Sequence, residues 1–263
     1  MRKVFVPLLA VLLCAGVLAS YACADPVNTA DVIGTLNISG YTMPGSPYVM
    51  QTYFPDGAVN GYSVYVGRTE ITYNSWSQTK GDTLDITPSG KFLAYCIEPE
   101  WEGAGDFSLV AAAHAPSLEA MGDTKAKLLS ELWAENPTLW NGADSTPLDR
   151  AAFQLATWEI VWEALPTSPA SYDVNIGGFY ANGNTSATDD AWDKANWWLQ
   201  GLNGNFEASN WTYSLYGLVN DGKQDFGIAA SFKTGSEVPV PGTLLLCTIG
   251  LAFAAVVRRF RRS

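Results

Sequence analysis

The sequence predicts an α+β fold: a β-rich sandwich or barrel-like scaffold with a helical segment, an N-terminal signal peptide before it and a single C-terminal transmembrane helix after it. Three observations predict it. Residues 31 to about 112 consist of short β-branched and aromatic runs broken by Gly, Pro and Asp. Residues 124–164 and 189–202 instead carry apolar residues at helical spacing. Both ends of the chain are apolar segments flanked by Lys or Arg.

Composition sets outer bounds. A chain of 263 residues can bury a large core. With 48% hydrophobic and 16% charged residues, and 10 Trp, 12 Tyr and 11 Phe, it lacks the signature of disorder. Fifteen basic against 26 acidic residues argue against nucleic acid, whose phosphates require a basic footprint. The single histidine, His114, excludes multi-histidine metal sites, so neither a metal nor a cofactor is expected.

The elements follow in order. Residues 1–24 read as a secretory signal: Arg2 and Lys3, the apolar run Val4 to Ala19, then Ala22-Cys23-Ala24, with cleavage after Ala24. Acylation of Cys23 is the alternative, but Ser20 stands where a lipoprotein signal needs an aliphatic residue. The exported body spans 25–233. Its strands are expected at Ile33–Ile38, Tyr62–Val66, Glu70–Tyr73, Thr83–Thr87 and Lys91–Ile97. The last is apolar on both faces, with Phe92, Ala94 and Cys96 on one of them, which predicts a central strand. Thr124–Glu135 predicts a first helix, stopped by Pro137. Thr146 as cap and Pro147 in the first turn open a second, continuing through Asp149–Ala164. Asp189–Leu202 predicts a third, and strands return at Trp211–Val219 and Phe226–Phe232. Residues 234–237 are a linker.

The tail, 238–263, begins Val238-Pro239-Val240-Pro241, continues through an apolar run to Val257 and ends with Arg258, Arg259, Arg261 and Arg262. The run falls somewhat short of the ~20 residues of a full span. The arginines predict a cytoplasmic end, with the body outside the inner membrane. This order of Pro-x-Pro, short apolar helix and Arg cluster resembles the PEP-CTERM sorting signal of Gram-negative bacteria, although Val240 stands where that family usually has Glu. The resemblance implies an exosortase-type membrane peptidase as partner. It also implies delivery to the cell surface or an exopolysaccharide matrix. Without the two terminal segments the body keeps only nine of the basic residues and all 26 acidic ones, which does not suit anionic lipid.

Once both ends are processed, Cys96 is the body's only cysteine, so no internal disulfide can form. It is then a buried apolar residue, half of an intermolecular bond or a reactive thiol. The second helix is apolar almost all round. At ~100° per residue, Glu159 and Glu163 point away from Gln154, which predicts a buried Gln154 beside Trp158 and Val161. A buried primary amide requires partners. One answer is a hydrogen bond to a neighbouring strand. The other is chemical: a Cys thiolate on a buried strand attacks the Gln carboxamide, ammonia leaves, and an internal thioester remains.

Tyr95-Cys96-Ile97 on a strand and Phe153-Gln154-Leu-Ala-Thr-Trp158 on a helix, 154 less 96 or 58 residues apart, carry a second resemblance. They resemble the paired motifs of bacterial thioester domains found in surface adhesins, over about Val32 to Phe232. The resemblance implies Cys96 as the sulfur donor, Gln154 as the acyl donor and an amine-bearing surface ligand as the covalent target. Thr157 departs from the pattern, which prefers an apolar residue there. The expected function is non-enzymatic covalent adhesion. The alternative is a structural or carbohydrate-binding matrix protein with Cys96 as a buried thiol.

Weaker signals read as structure. Trp197 and Trp198 are adjacent and cannot share one helix face, so at least one packs inward. The pairs Glu98/Glu100 and Glu159/Glu163 read as acidic surface rather than a hydrolase pair. Asp221–Asp225 reads as a turn, and His114 carries no nucleophile signature.

Overall fold

The computed structural model describes residues 31–44, 48–55, 62–78, 83–85, 90–98, 103–117, 119–142, 145–164, 171–182, 186–204 and 213–233. The cleavage residue Ala24 and the sorting residues Val238, Pro239, Pro241, Arg258, Arg259, Arg261 and Arg262 lie outside them, as does the apolar run before the arginines. Among the described residues no helix is long and apolar enough to cross a membrane.

The strands are β1 (Gly34–Thr42), β2 (Tyr48–Tyr53), β3 (Tyr62–Val66), β4 (Thr69–Gln78), β5 (Thr83–Asp85), β6 (Lys91–Cys96), β7 (Gly105–Ala111), β8 (Tyr180–Asn182), β9 (Ser214–Val219) and β10 (Phe226–Lys233). The helices are α1 (Gly122–Glu135), α2 (Pro137–Trp140), α3 (Pro147–Trp162) and α4 (Ser186–Gly201). The order β10-β6-β4-β1-β7-β9 closes on itself through β9–β10, making a six-stranded antiparallel barrel. Closure satisfies both edges, so of the two scaffolds the sequence allowed the chain adopts the barrel. β5 extends the ladder on the far end of β10. A separate sheet, β3-β2-β8, lies beside α3.

Two cores result from strand alternation. Leu36, Ile38, Ile71, Phe107, Leu218 and Phe226 fill the barrel. The opposite faces of β6 and β7, with Tyr95 and Val110, join the helices in a larger outer core. α3 lies in the middle of that outer core, and every residue from Ala151 to Trp162 is buried. This explains its lack of a polar stripe: β6, β2, β3, α1 and α4 surround it. At Gly217 on β9 a Cβ would come within 2.2 Å of Ala115 Cβ, so only glycine lets the 112–115 turn sit on the barrel wall.

Local signals explain the helix ends. Thr146 Oγ1 accepts from Asp149 N and Asp149 Oδ2 accepts from Thr146 N, each at 3.1 Å, a capping box with Pro147 in the first turn. Asp149 also holds Lys194 of α4. Pro137 does stop α1, but it also opens the short α2, because proline's fixed φ suits a first turn.

Other differences concern single residues. Tyr48–Tyr53, Gly105–Ala111 and Tyr180–Asn182 form strands the sequence reading did not single out. Phe92 and Ala94 belong to the barrel core as expected, whereas Cys96 packs in the outer core, at the end of β6 where β4 no longer flanks it. Glu98 and Glu159 are not surface acids: each is about 1% exposed. Glu100 lies outside the described residues.

Candidate functional site

Cys96 and Gln154 meet. β6 pairs with β4 only from Lys91 to Ala94, so the last strand residue has no β4 neighbour. The carboxamide of Gln154, reaching over from α3, takes that place. Its Oε1 accepts from Cys96 N at 3.0 Å and its Nε2 donates to Cys96 O at 2.7 Å. Cys96 is 2% exposed and Gln154 1%.

The flanking residues wall the pair off. Tyr95 and Phe153 lie with ring centroids 4.7 Å apart, and Trp133 packs edge-on to both. Tyr95 Oη donates to Leu139 O at 3.1 Å. On the other side Trp158, also buried, packs edge-on against Phe54. Trp162 Nε1 donates to Ile97 O at 2.8 Å, tying α3 to the residue after Cys96. Tyr95, Cys96, Ile97, Phe153, Gln154 and Trp158 thus gather around one point, from a strand and a helix far apart in the chain.

The sulfur has its own partners. Cys96 Sγ donates to Glu98 O at 2.9 Å, and Gln224 Nε2 approaches the sulfur at 2.6 Å. Burial pushes the thiol pKa far up, although the Gln224 amide, the Trp158 indole and the Glu98 backbone each act to lower it. The resting state is therefore a protonated thiol, inert toward external reagents.

Beneath the sulfur lies a second buried group that the sequence reading missed. The Glu98 and Asp225 carboxyls are hydrogen-bonded to one another, which requires one of them to hold a proton. Asp225 is fully buried, and burial raises its pKa. Its Oδ2 accepts from Ser117 N at 2.5 Å and its Oδ1 from Asn220 N at 2.8 Å. Ser117 Oγ donates to Glu98 Oε2 at 3.1 Å, and Ile97 N to Asp225 O at 2.9 Å. The 117 turn and the 220–225 turn are thereby held against the strand end that carries Cys96. Asp221–Asp225 is a turn as expected, and its last two residues provide the carboxyl and the amide.

The remaining candidates separate from this cluster. Glu159 Oε1 accepts from Asp173 N at 3.0 Å, and burial raises its pKa to about 8. Glu163 Oε2 accepts from Gly178 N and Phe179 N at 2.6 and 3.1 Å. Both hold loop backbone rather than facing a cleft. Trp198 packs edge-on to Phe153 while Trp197 is 70% exposed, as their adjacency on a helix requires. His114 lies 3.7 Å from Asp31, at the surface.

The arrangement supports acyl chemistry within the chain. A buried thiol and a buried carboxamide belong to one site, and a backbone N–H already touches the oxygen on which charge would develop. Compared with protein-family models, curated proteins and solved structures, the chain matches none.

Proposed function

We propose that this chain is an exported bacterial envelope protein that attaches covalently to its surroundings through an internal thioester between Cys96 and Gln154. The seating of the carboxamide is the observation that supports this most, with Cys96 N–H on Oε1 at 3.0 Å. As Sγ bonds to the Gln154 Cδ, charge gathers on Oε1 and that N–H stabilises it, as an oxyanion-hole donor does. The C–N bond then breaks, and ammonia leaves carrying the thiol proton. No oxidant or cofactor is consumed. The aromatic wall keeps water from the thioester. A ligand amine reopens it: the amine nitrogen bonds to the acyl carbon, the C–S bond breaks, the sulfur takes a proton from the amine, and Gln154 ends as a secondary amide. Each molecule reacts once, so the role is adhesive rather than enzymatic.

The terminal segments complete the proposal. Residues 1–24 direct export, and residues 238–263 hold the chain in the inner membrane until an exosortase-type peptidase passes it to the surface or matrix. The layout of Val238-Pro239-Val240-Pro241, apolar run and terminal arginines supports this. Treating the exported protein with methylamine tests the thioester. An adduct on Gln154, with Cys96 becoming open to alkylation at the same rate, supports it. Neither change would contradict it.

One observation favours a second reading. Both polar ends of the carboxamide are satisfied by the backbone of residue 96, so Gln154 is also a sufficient structural brace. On that reading the protein is a non-covalent structural or carbohydrate-binding component of an exopolysaccharide matrix. Cys96 is then a buried thiol, and methylamine leaves the chain unchanged.

A further inference from the structure

The sulfur of Cys96 has donors of its own, separate from the backbone N–H that serves the Gln154 oxygen. Gln224 Nε2 stands 2.6 Å from Sγ. The single thiol proton already goes to Glu98 O at 2.9 Å, so at the Gln224 contact the amide donates and the sulfur accepts. The Trp158 indole also acts on the sulfur, and its buried Nε1 has no nitrogen or oxygen partner among the described residues. The charged neighbour is an acid: Glu98 pushes the thiol pKa up, whereas the Gln224 amide pulls it down. Negative charge on this sulfur therefore relies on N–H donors.

The chain fixes Gln224 in that place. Its neighbour Asp225 anchors the turn, accepting from Asn220 N on Oδ1 at 2.8 Å and from Ile97 N on its backbone oxygen at 2.9 Å. The next residue, Phe226, pairs with Cys96 across β10 and β6. The amide thus reaches the sulfur from a turn tied to the strand end that carries it, so the donor is in position before charge develops. Cys96, Gln154, Glu98 and Trp158 are sealed from solvent, whereas Gln224 is half-buried. A substitution there leaves the packed core in place.

We propose that Gln224 is a catalytic residue of the thioester, its Nε2–H holding the negative charge on Sγ as the bond between sulfur and the acyl carbon breaks. This rests on the thioester reading of Cys96 and Gln154 and adds to it the group that makes the sulfur a leaving group. Cys96 N–H serves the oxygen and Gln224 N–H the sulfur, one donor for each atom that gains electrons. An amine nitrogen bonds to Gln154 Cδ, the C–S electron pair goes to the sulfur, and the attacking nitrogen then gives the sulfur its proton. The S–H returns to Glu98 O. Formation, with ammonia as the departing amine, is the same path reversed and uses the same donor.

Opening of the exported protein by hydroxylamine, followed by intact mass, tests the assignment, because this amine stays nucleophilic in mild acid. Gln224→Met keeps the side-chain length and loses the donor, and opening is expected to slow by about tenfold or more at every pH. Gln224→Glu keeps the shape. Ionised, it repels the leaving thiolate and opening slows at least as much; protonated in mild acid, its O–H donates and the rate returns toward the parent's. A side chain that only supports the fold gives no such pH-dependent recovery. Variants that keep the parent's melting temperature but never lose ammonia also support the assignment, since formation needs the same donor. Opening of Gln224→Met at the parent's rate or faster, or an equal and pH-independent slowing in both variants, would overturn it and leave the thioester standing. A parent chain with no ammonia deficit would overturn the thioester and this assignment with it.

Discussion

The Gln154 carboxamide completes the β-ladder beside Cys96, accepting from its N–H at 3.0 Å and donating to its carbonyl at 2.7 Å. A helix side chain thereby does what a strand residue would do if β4 extended further. The same two contacts put an acyl group and a thiol-bearing residue together in a site without water access.

Gln154→Ala removes both contacts and leaves a buried N–H and a buried carbonyl unpaired. The expected cost is about 3 kcal/mol of folding stability, read from denaturant unfolding of Cys96→Ala, in which the carboxamide stays intact, with and without Gln154→Ala. A change near zero would mean that water replaces the carboxamide and that the pair is not sealed.

The Glu98–Asp225 pair predicts a loss of stability toward alkaline pH. Burial raises the Asp225 pKa, so the folded state holds the shared proton more tightly than the unfolded chain. That contribution is full below the unfolded carboxylate range and is lost as pH rises through the folded value. Glu98→Gln gives Asp225 a permanent donor in place of the shared proton. Melting temperature between about pH 5 and about pH 9 should then fall less in the variant than in the parent. Parallel profiles would show that no proton is shared.

Glu159 behaves in the same sense through a different neighbourhood. Its pKa, about 8, stands above the ordinary carboxylate value because of burial, with Glu163 and Asp173 adding like charge. Its contribution is therefore greatest at acidic pH and declines up to about pH 8, by at most about 1.4 kcal/mol per pH unit. Glu159→Gln should flatten that decline while keeping the acceptor for Asp173 N. Urea unfolding at several pH values checks it.

These buried acids mark the boundary of what the sequence revealed. The alternation of Tyr62–Val66, the Thr146-Pro147 start of α3 and the two motifs around Cys96 and Gln154 were legible, because each depends on local propensity or on periodicity. Gln154 read as buried because α3 lacks a polar stripe. Glu98, Asp225 and Glu159 were not legible. Each is buried to satisfy a loop: Asp225 takes Ser117 N across 108 residues of chain, and Glu159 takes Asp173 N. Nothing in the neighbouring sequence encodes those partners. Barrel closure was equally hidden, since β9 pairs with both β7 and β10 and only the three-dimensional register decides it. The misplaced face of Cys96 has the same origin: alternation assigns the residue to the barrel interior, but the wall has lost one flanking strand at that residue.

Thr157, the departure from the thioester-domain pattern, gives a fourth prediction. It is fully buried on α3, and its hydroxyl has no partner among the described residues. Thr157→Val removes that unpaired group at nearly constant volume and should stabilise the fold by about 1 kcal/mol. A destabilised variant would show that the hydroxyl is paired after all.

The intact mass of the exported protein, isolated without amine buffers, distinguishes a thioester from a free thiol and carboxamide. An internal thioester makes the mass lower than that of the sequence by one ammonia, with the deficit absent in both Cys96→Ala and Gln154→Ala. A parent mass equal to the sequence, with Cys96 alkylated only after unfolding, would contradict it and leave Gln154 as a structural brace.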